Sequence, residues 1–98
     1  MLSKQQIIKL IGEHQSTLRQ YGVHRIALFG SLLHGTATET SDIDLLVEFK
    51  EKSFDNYMGL KYFLEDLLGQ QVDLVLPETL KPRLKPIVMR EVEYVAEI

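Results

Sequence analysis

The spacing of apolar positions along the chain predicts its elements. Ile7, Ile8, Ile11 and Leu18 recur at intervals that fit one helical face, with Ser3 as a cap and Gly22 as a stop, predicting a helix over about 3–21. His24 to Phe29 is a short, mostly apolar run closed by Gly30-Ser31, the pattern of a buried strand. Residues 35–41, GTATETS, are small and polar and mark a loop. Ile43 to Phe49 forms a second run with strong β character. Ser53 or Asp55 opens a further helix, whose apolar face is supplied by Phe54, Met58, Leu60, Tyr62, Phe63, Leu64, Leu67 and Leu68 and which ends at Gly69. Val72 to Leu76 is a third strand, closed by Pro77. Pro82 and Pro86 let a tail helix begin cleanly only near residues 83–86, and the stretch from Glu91 to Ile98 reads as a last edge strand.

Strand, helix of about fifteen residues, strand is the order that a right-handed crossover between parallel strands requires. The predicted fold is therefore α/β (α+β), a small mixed β-sheet packed by helices, in one domain spanning 1–98 with no repeat, linker or low-complexity tract.

Within this frame some acids have no packing role. Asp42 and Asp44 are one residue apart at the mouth of the second strand, so both side chains share one face while Ile43, Leu45, Val47 and Phe49 take the other. Two anions held side by side repel, and a hard divalent cation such as Mg²⁺ removes that cost with oxygen ligands. Asp73 sits equally early in its own apolar strand. If the two strands are parallel neighbours, three carboxylates reach the same edge, where one or two metals could clamp the attacking and leaving oxygens of a phosphoryl displacement. Gly30 lets the backbone approach a phosphate closely, and the Ser31 hydroxyl can donate to it. Each signal alone has an ordinary structural explanation, as a turn or a cap; their joint appearance in matching strand contexts points to a site.

Composition narrows the picture. A net charge of −3 argues against a protein whose main task is to coat nucleic acid, and no direct nucleic-acid binding is expected. With no cysteine there is no disulfide or thiolate metal site. The N-terminus is too often interrupted by charge for a signal peptide, and no apolar run approaches membrane-spanning length, so a soluble, cytoplasmic protein is expected. His14 and His24 read as surface or core-edge residues, and Tyr57, Tyr62 and Phe63 as helix packing.

Gly30-Ser31, ten intervening residues, Asp42-Ile-Asp44 and a later strand carrying Asp73 resemble the nucleotidyltransferase superfamily related to DNA polymerase β. The strings GS…HG…SDIDLLVEF and VDLVLPETLKPRLKP are similar specifically to the minimal nucleotidyltransferases, and the likeness runs from about residue 24 to the end. The resemblance implies that a hydroxyl attacks the α-phosphorus of a nucleoside triphosphate and pyrophosphate leaves. Carried over by position, Asp42 and Asp44 would hold two Mg²⁺ ions and Asp73 would complete the acceptor-side metal and help remove the hydroxyl proton. Gly30 and Ser31 would grip ATP, with His34 as a partial substitute for a basic residue. Family members often carry arginines just after the Gly-Ser pair; here Leu32 and His34 stand in that stretch, which predicts weaker triphosphate binding unless Lys81, Arg83 and Lys85 compensate. Those three read first as a solvated face or a partner-binding patch.

A chain of this size has a catalytic core and little to hold an acceptor, so a partner protein that is itself the acceptor would solve the positioning problem. The resemblance implies the antitoxin half of a HEPN–MNT toxin–antitoxin pair, transferring AMP from ATP to a tyrosine of a HEPN ribonuclease toxin in a homo- or hetero-oligomer. The rival readings are a binding antitoxin that inhibits by occlusion, and transfer to a small molecule of the aminoglycoside type.

Overall fold

The computed structural model describes residues 2–30 and 42–98. Helix α1 (Lys4–Gly12) begins at a reciprocal cap: the Ser3 hydroxyl accepts from the Gln6 amide at 3.1 Å, and the Gln6 side chain accepts from the Ser3 amide at 2.8 Å. The helix expected over 3–21 is in fact two, with α2 spanning Gln15–Gln20. His14 explains the break. In a continuous helix its amide would bond to Leu10 O; instead its ring Nδ1 lies 2.7 Å from that carbonyl, and the amide turns to Ile11 O at 3.1 Å. Gly12, a poor helix former just upstream, weakens the same turn. Ile7, Ile11 and Leu18 are all fully buried, so the break still delivers both halves to one core.

Strands β1 (Val23–Leu28), β2 (Ile43–Phe49), β3 (Val72–Val75) and β4 (Glu93–Glu97) form one mixed sheet in the order β3-β2-β1-β4. β1 is antiparallel to β2 and β4, whereas β2 and β3 are parallel and joined through α3 (Phe54–Leu68). The crossover expected from the order of elements is thus present, and the terminal strand lies at the sheet edge. α3 starts where the Ser53 hydroxyl accepts from the Asn56 amide and stops at Gly69, whose φ of +69° suits the left-handed cap.

One sheet face carries the core: Ile26 and Leu28 of β1, Ile43, Leu45 and Val47 of β2, and Val72 and Leu74 of β3 pack with Ile7, Ile11, Leu60 and Leu64. The apolar face expected of α3 is narrower than its composition suggests. Leu60, Leu64 and Leu68, four residues apart, are buried, but Phe54 is 77% and Tyr62 61% exposed. Tyr62 lies two residues from Leu60 and Leu64, about 200° around the helix, so it faces away from the sheet despite its hydrophobicity. Leu64 is fully buried at the centre of this stripe. Leu64→Ala should therefore cost about 3 kcal/mol, read as a lowered urea midpoint with an unchanged slope.

After β3 a short 3₁₀ helix, Pro77–Thr79, leads to α4 (Lys85–Glu91), which carries Pro86 in its first turn and buries no residue fully. Among the described residues no helix is long and apolar enough to cross a membrane.

Candidate functional site

The site is built where β1 ends and β2 and β3 begin. Each of the latter strands carries an aspartate at its second position, and the parallel register sets Ile43 beside Val72 and Asp44 beside Asp73. Partners in a parallel pair project to the same face, on strands about 4.8 Å apart, so the two carboxylates are lateral neighbours on the face opposite the core. The Ile43 amide donates to Gln71 O at 2.9 Å, which fixes this register at its first rung. Asp42 directly precedes β2, two residues from Asp44 along the same alternation. Asp42 and Asp73 are exposed and Asp44 is half-buried.

The end of β1 closes on Asp44. The Phe29 amide donates to Asp44 O at 3.3 Å, and Gly30 follows with φ +78°. A methyl group added at Gly30 would lie 3.0 Å from Cγ and 3.1 Å from Cβ of Asp44, and closer still to its Oδ2. Gly30 is required here twice, by a left-handed backbone and by the carboxylate against it. Ser31 and His34, the other residues expected to hold the triphosphate, lie outside the described residues, as does the 35–41 stretch read as a loop.

The donor set tests which cation fits. Among the described residues, no group of three histidine, cysteine, aspartate or glutamate side chains is arranged to hold a metal ion. Mg²⁺ needs less: it keeps several waters and is usually bound through one or two carboxylates together with substrate phosphates. Adjacent aspartates at the start of two neighbouring strands, beside a backbone that tolerates close approach, fit that requirement.

Lys61 and Glu65, which the sequence does not single out, secure β3 from outside together with Tyr57, expected only to pack the helix. Lys61 Nζ donates to Val72 O and to Glu65 Oε2, both at 2.8 Å, and Glu65 Oε2 accepts from the Val72 amide at 3.0 Å. The bond from Lys61, followed by that from the Val72 amide, holds the Glu65 carboxyl below its ordinary range. Lys61 is raised, chiefly by its bond to Glu65, with Asp42 among the weaker contributors. The Tyr57 hydroxyl donates to Leu74 O at 2.8 Å. A lysine and a glutamate four residues apart were the available signal, but such pairs are common on solvated helix faces.

Other candidates sit elsewhere. Lys81, Arg83 and Lys85 are exposed. Lys85 lines a cavity of about 320 Å³ with Glu48, Phe49 and Lys50, at the far end of β2, roughly 13 Å along the strand from Asp44. It is thus placed away from the carboxylates. Arg25 is engaged by Glu48 at 2.9 Å and lies over the Tyr94 ring at 5.1 Å. His14 packs edge-on against Phe63 and His24 Nδ1 lies 3.2 Å from Ile98 O, so both serve structure.

Comparison with known proteins bears on this arrangement. The sequence pattern of the nucleotidyltransferase domain matches residues 8–95. The protein adenylyltransferase MntA of Thermococcus cleftensis is 42% identical over 97 residues, covering 97% of this chain and 98% of that protein. A Methanocaldococcus jannaschii protein, named provisionally as a protein adenylyltransferase, is 38% identical over 100 residues, covering 97% of this chain and all of its own length. Among solved structures, a minimal nucleotidyltransferase superposes with a TM-score of 0.72 at 36% identity, covering 88% of this chain and 93% of that one. A toxin–antitoxin complex solved with AMP-PNP gives 0.71 at 26% identity, covering 93% of this chain and 73% of that one.

Proposed function

The chain belongs to the nucleotidyltransferase domain family, and from that premise we propose that it transfers AMP from ATP to a tyrosine hydroxyl of a partner toxin of the HEPN ribonuclease class, neutralising it. The observation that carries this reading is the register of Asp44 beside Asp73, with Asp42 two residues before and Gly30 packed on Asp44. The relative named as a protein adenylyltransferase, alike over nearly the full length of both chains, supports AMP transfer to a protein. The toxin–antitoxin complex with AMP-PNP supports ATP as the donor and a toxin as the partner.

In this reading the acceptor oxygen forms a bond to the α-phosphorus. The bond from that phosphorus to the bridging oxygen breaks, and pyrophosphate leaves with its electron pair. Asp42 and Asp44 would hold Mg²⁺, two ions in the full complement, and Asp73 would complete the acceptor-side set and take the hydroxyl proton. When bound, the metal lowers the hydroxyl pKa and offsets charge on the departing pyrophosphate. Gly30 lets the backbone approach the triphosphate, with Ser31 and His34 as its further contacts. The acceptor is brought by the partner, which supplies its orientation at the aspartates.

Leu32, standing where relatives often carry arginine, and the lack of a ready three-ligand group among the described residues favour a second reading, an antitoxin that inhibits by occlusion alone. Intact-mass measurement of a co-encoded partner incubated with ATP and Mg²⁺ separates the two. Adenylate mass added to the partner, mapped to tyrosine, is the expected result; an inhibited but unmodified partner would establish the occluding binder instead.

A further inference from the structure

β3 is a four-residue strand at the edge of the sheet, and it carries Asp73. Short edge strands fray easily, because one row of their backbone groups has no strand to bond to. Alternation defines that row here. Gln71 O is turned toward β2, where it accepts from the Ile43 amide, so Val72 and Leu74 turn their amides and carbonyls outward. Three of these outward groups are met by side chains of α3. Glu65 accepts from the Val72 amide, Lys61 donates to Val72 O, and Tyr57 donates to Leu74 O. The three side chains are spaced four residues apart on one helical stripe, and the lysine and glutamate are also bonded to each other at 2.8 Å. Val72 and Leu74 are the two residues that flank Asp73.

We propose that Tyr57, Lys61 and Glu65 form a clamp that positions Asp73: by tying down its two chain neighbours from the outer edge, they hold its carboxylate in register beside Asp44. The clamp rests on the reading of Asp73 as a member of the metal-holding set. None of the three is assigned contact with substrate; they act through the β3 backbone. Lys61 and Glu65 side chains are only 29% and 24% exposed, so their pairing is shielded from solvent more than an ordinary surface pair. A carboxylate that must share a cation with a neighbour gains little from being close on average; it gains from being held, since small misplacements at a metal or reacting centre cost one to two orders of magnitude.

A clamp that merely protects the edge would change stability alone. The test is a double-mutant cycle on Mn²⁺ binding, read from loss of the free-ion paramagnetic resonance signal, at a temperature where far-UV circular dichroism shows every variant folded. Lys61→Met and Tyr57→Phe should each weaken Mn²⁺ binding roughly tenfold, Lys61→Arg should restore most of the loss, and neither clamp variant should weaken it further once Asp73→Asn is present. Hydrogen exchange at the Val72 amide, which Glu65 engages, should rise in both. Wild-type Mn²⁺ affinity in folded Lys61→Met, or an equal loss in the Asp73→Asn background, would overturn the clamp while leaving Asp73 in the site. Unchanged affinity in Asp73→Asn alone would remove Asp73 from the metal set, and the clamp's role with it. Should Lys61→Met fail to fold, the Tyr57→Phe arm of the cycle decides on the same criteria.

Discussion

Asn at both positions 42 and 44 should all but remove AMP transfer and leave the fold standing: this is the largest effect expected of any change at the candidate site. Asp42→Asn/Asp44→Asn keeps the shape of each side chain and removes both charges. Metal-assisted stabilisation of a phosphoryl displacement is worth several kcal/mol, so the initial rate of label transfer from α-labelled ATP should fall by about three orders of magnitude. Stability should stay within about 1 kcal/mol by urea unfolding, because Asp42 is exposed and Asp44 half-buried, outside the hydrophobic cluster. Transfer persisting within tenfold of the parent would mean that the chemistry lies elsewhere.

Gly30→Ala is expected to act almost as strongly, by a different route. The added methyl has no room: Asp44 Cγ and Cβ lie 3.0 and 3.1 Å from where it would stand. Either Asp44 swings away from Asp73 or the backbone turn opens, and both displace the carboxylate pair. Transfer should drop about a hundredfold, the cost of displacing a positioned group by about an ångström. Part of the effect is plain backbone strain, since φ is +78° and a side chain there costs about 1–2 kcal/mol of stability. Gly69→Ala separates the contributions. Gly69 has nearly the same φ, +69°, but nothing lies within 4 Å of its added Cβ. It should lose similar stability with transfer rate unchanged. Equal losses of activity in both alanine variants would show that Gly30 matters only for folding.

The placement of Asp44 beside Asp73 was legible because each step follows from local rules. Asp42-Ile-Asp44 and Val72-Asp73 place acids on one face of two apolar strands, and the intervening α3 of fifteen residues forces those strands parallel. Once parallel, with an aspartate second in each, the register beside one another needs no further information. Capping by Ser53 and Gly69 was equally local. What escaped depends on angle and competition rather than residue type. Phe54 and Tyr62 count as apolar by composition, yet the 100° step of the helix turns Tyr62 out and the capped start leaves Phe54 uncovered. The break at His14 arises because an imidazole takes a carbonyl that the helix would have used. The stripe of Tyr57, Lys61 and Glu65 looks like an ordinary helix surface until β3 is known to lie beside it with its outer row unbonded to any strand. Ser31 and His34 lie outside the described residues, and their parts rest on sequence alone.

The most direct test of the central claim, that these aspartates are where AMP is transferred, is to locate the metal. A crystal of the protein with Mn²⁺ and the non-hydrolysable analogue AMP-CPP, with data collected at the manganese edge, gives its position without any assumption about the partner. Anomalous density is expected within about 2.3 Å of carboxylate oxygens of both Asp42 and Asp44, with the triphosphate lying across Gly30. Bound nucleotide and manganese at any other place on the chain, with Asp42 and Asp44 unliganded, would contradict it.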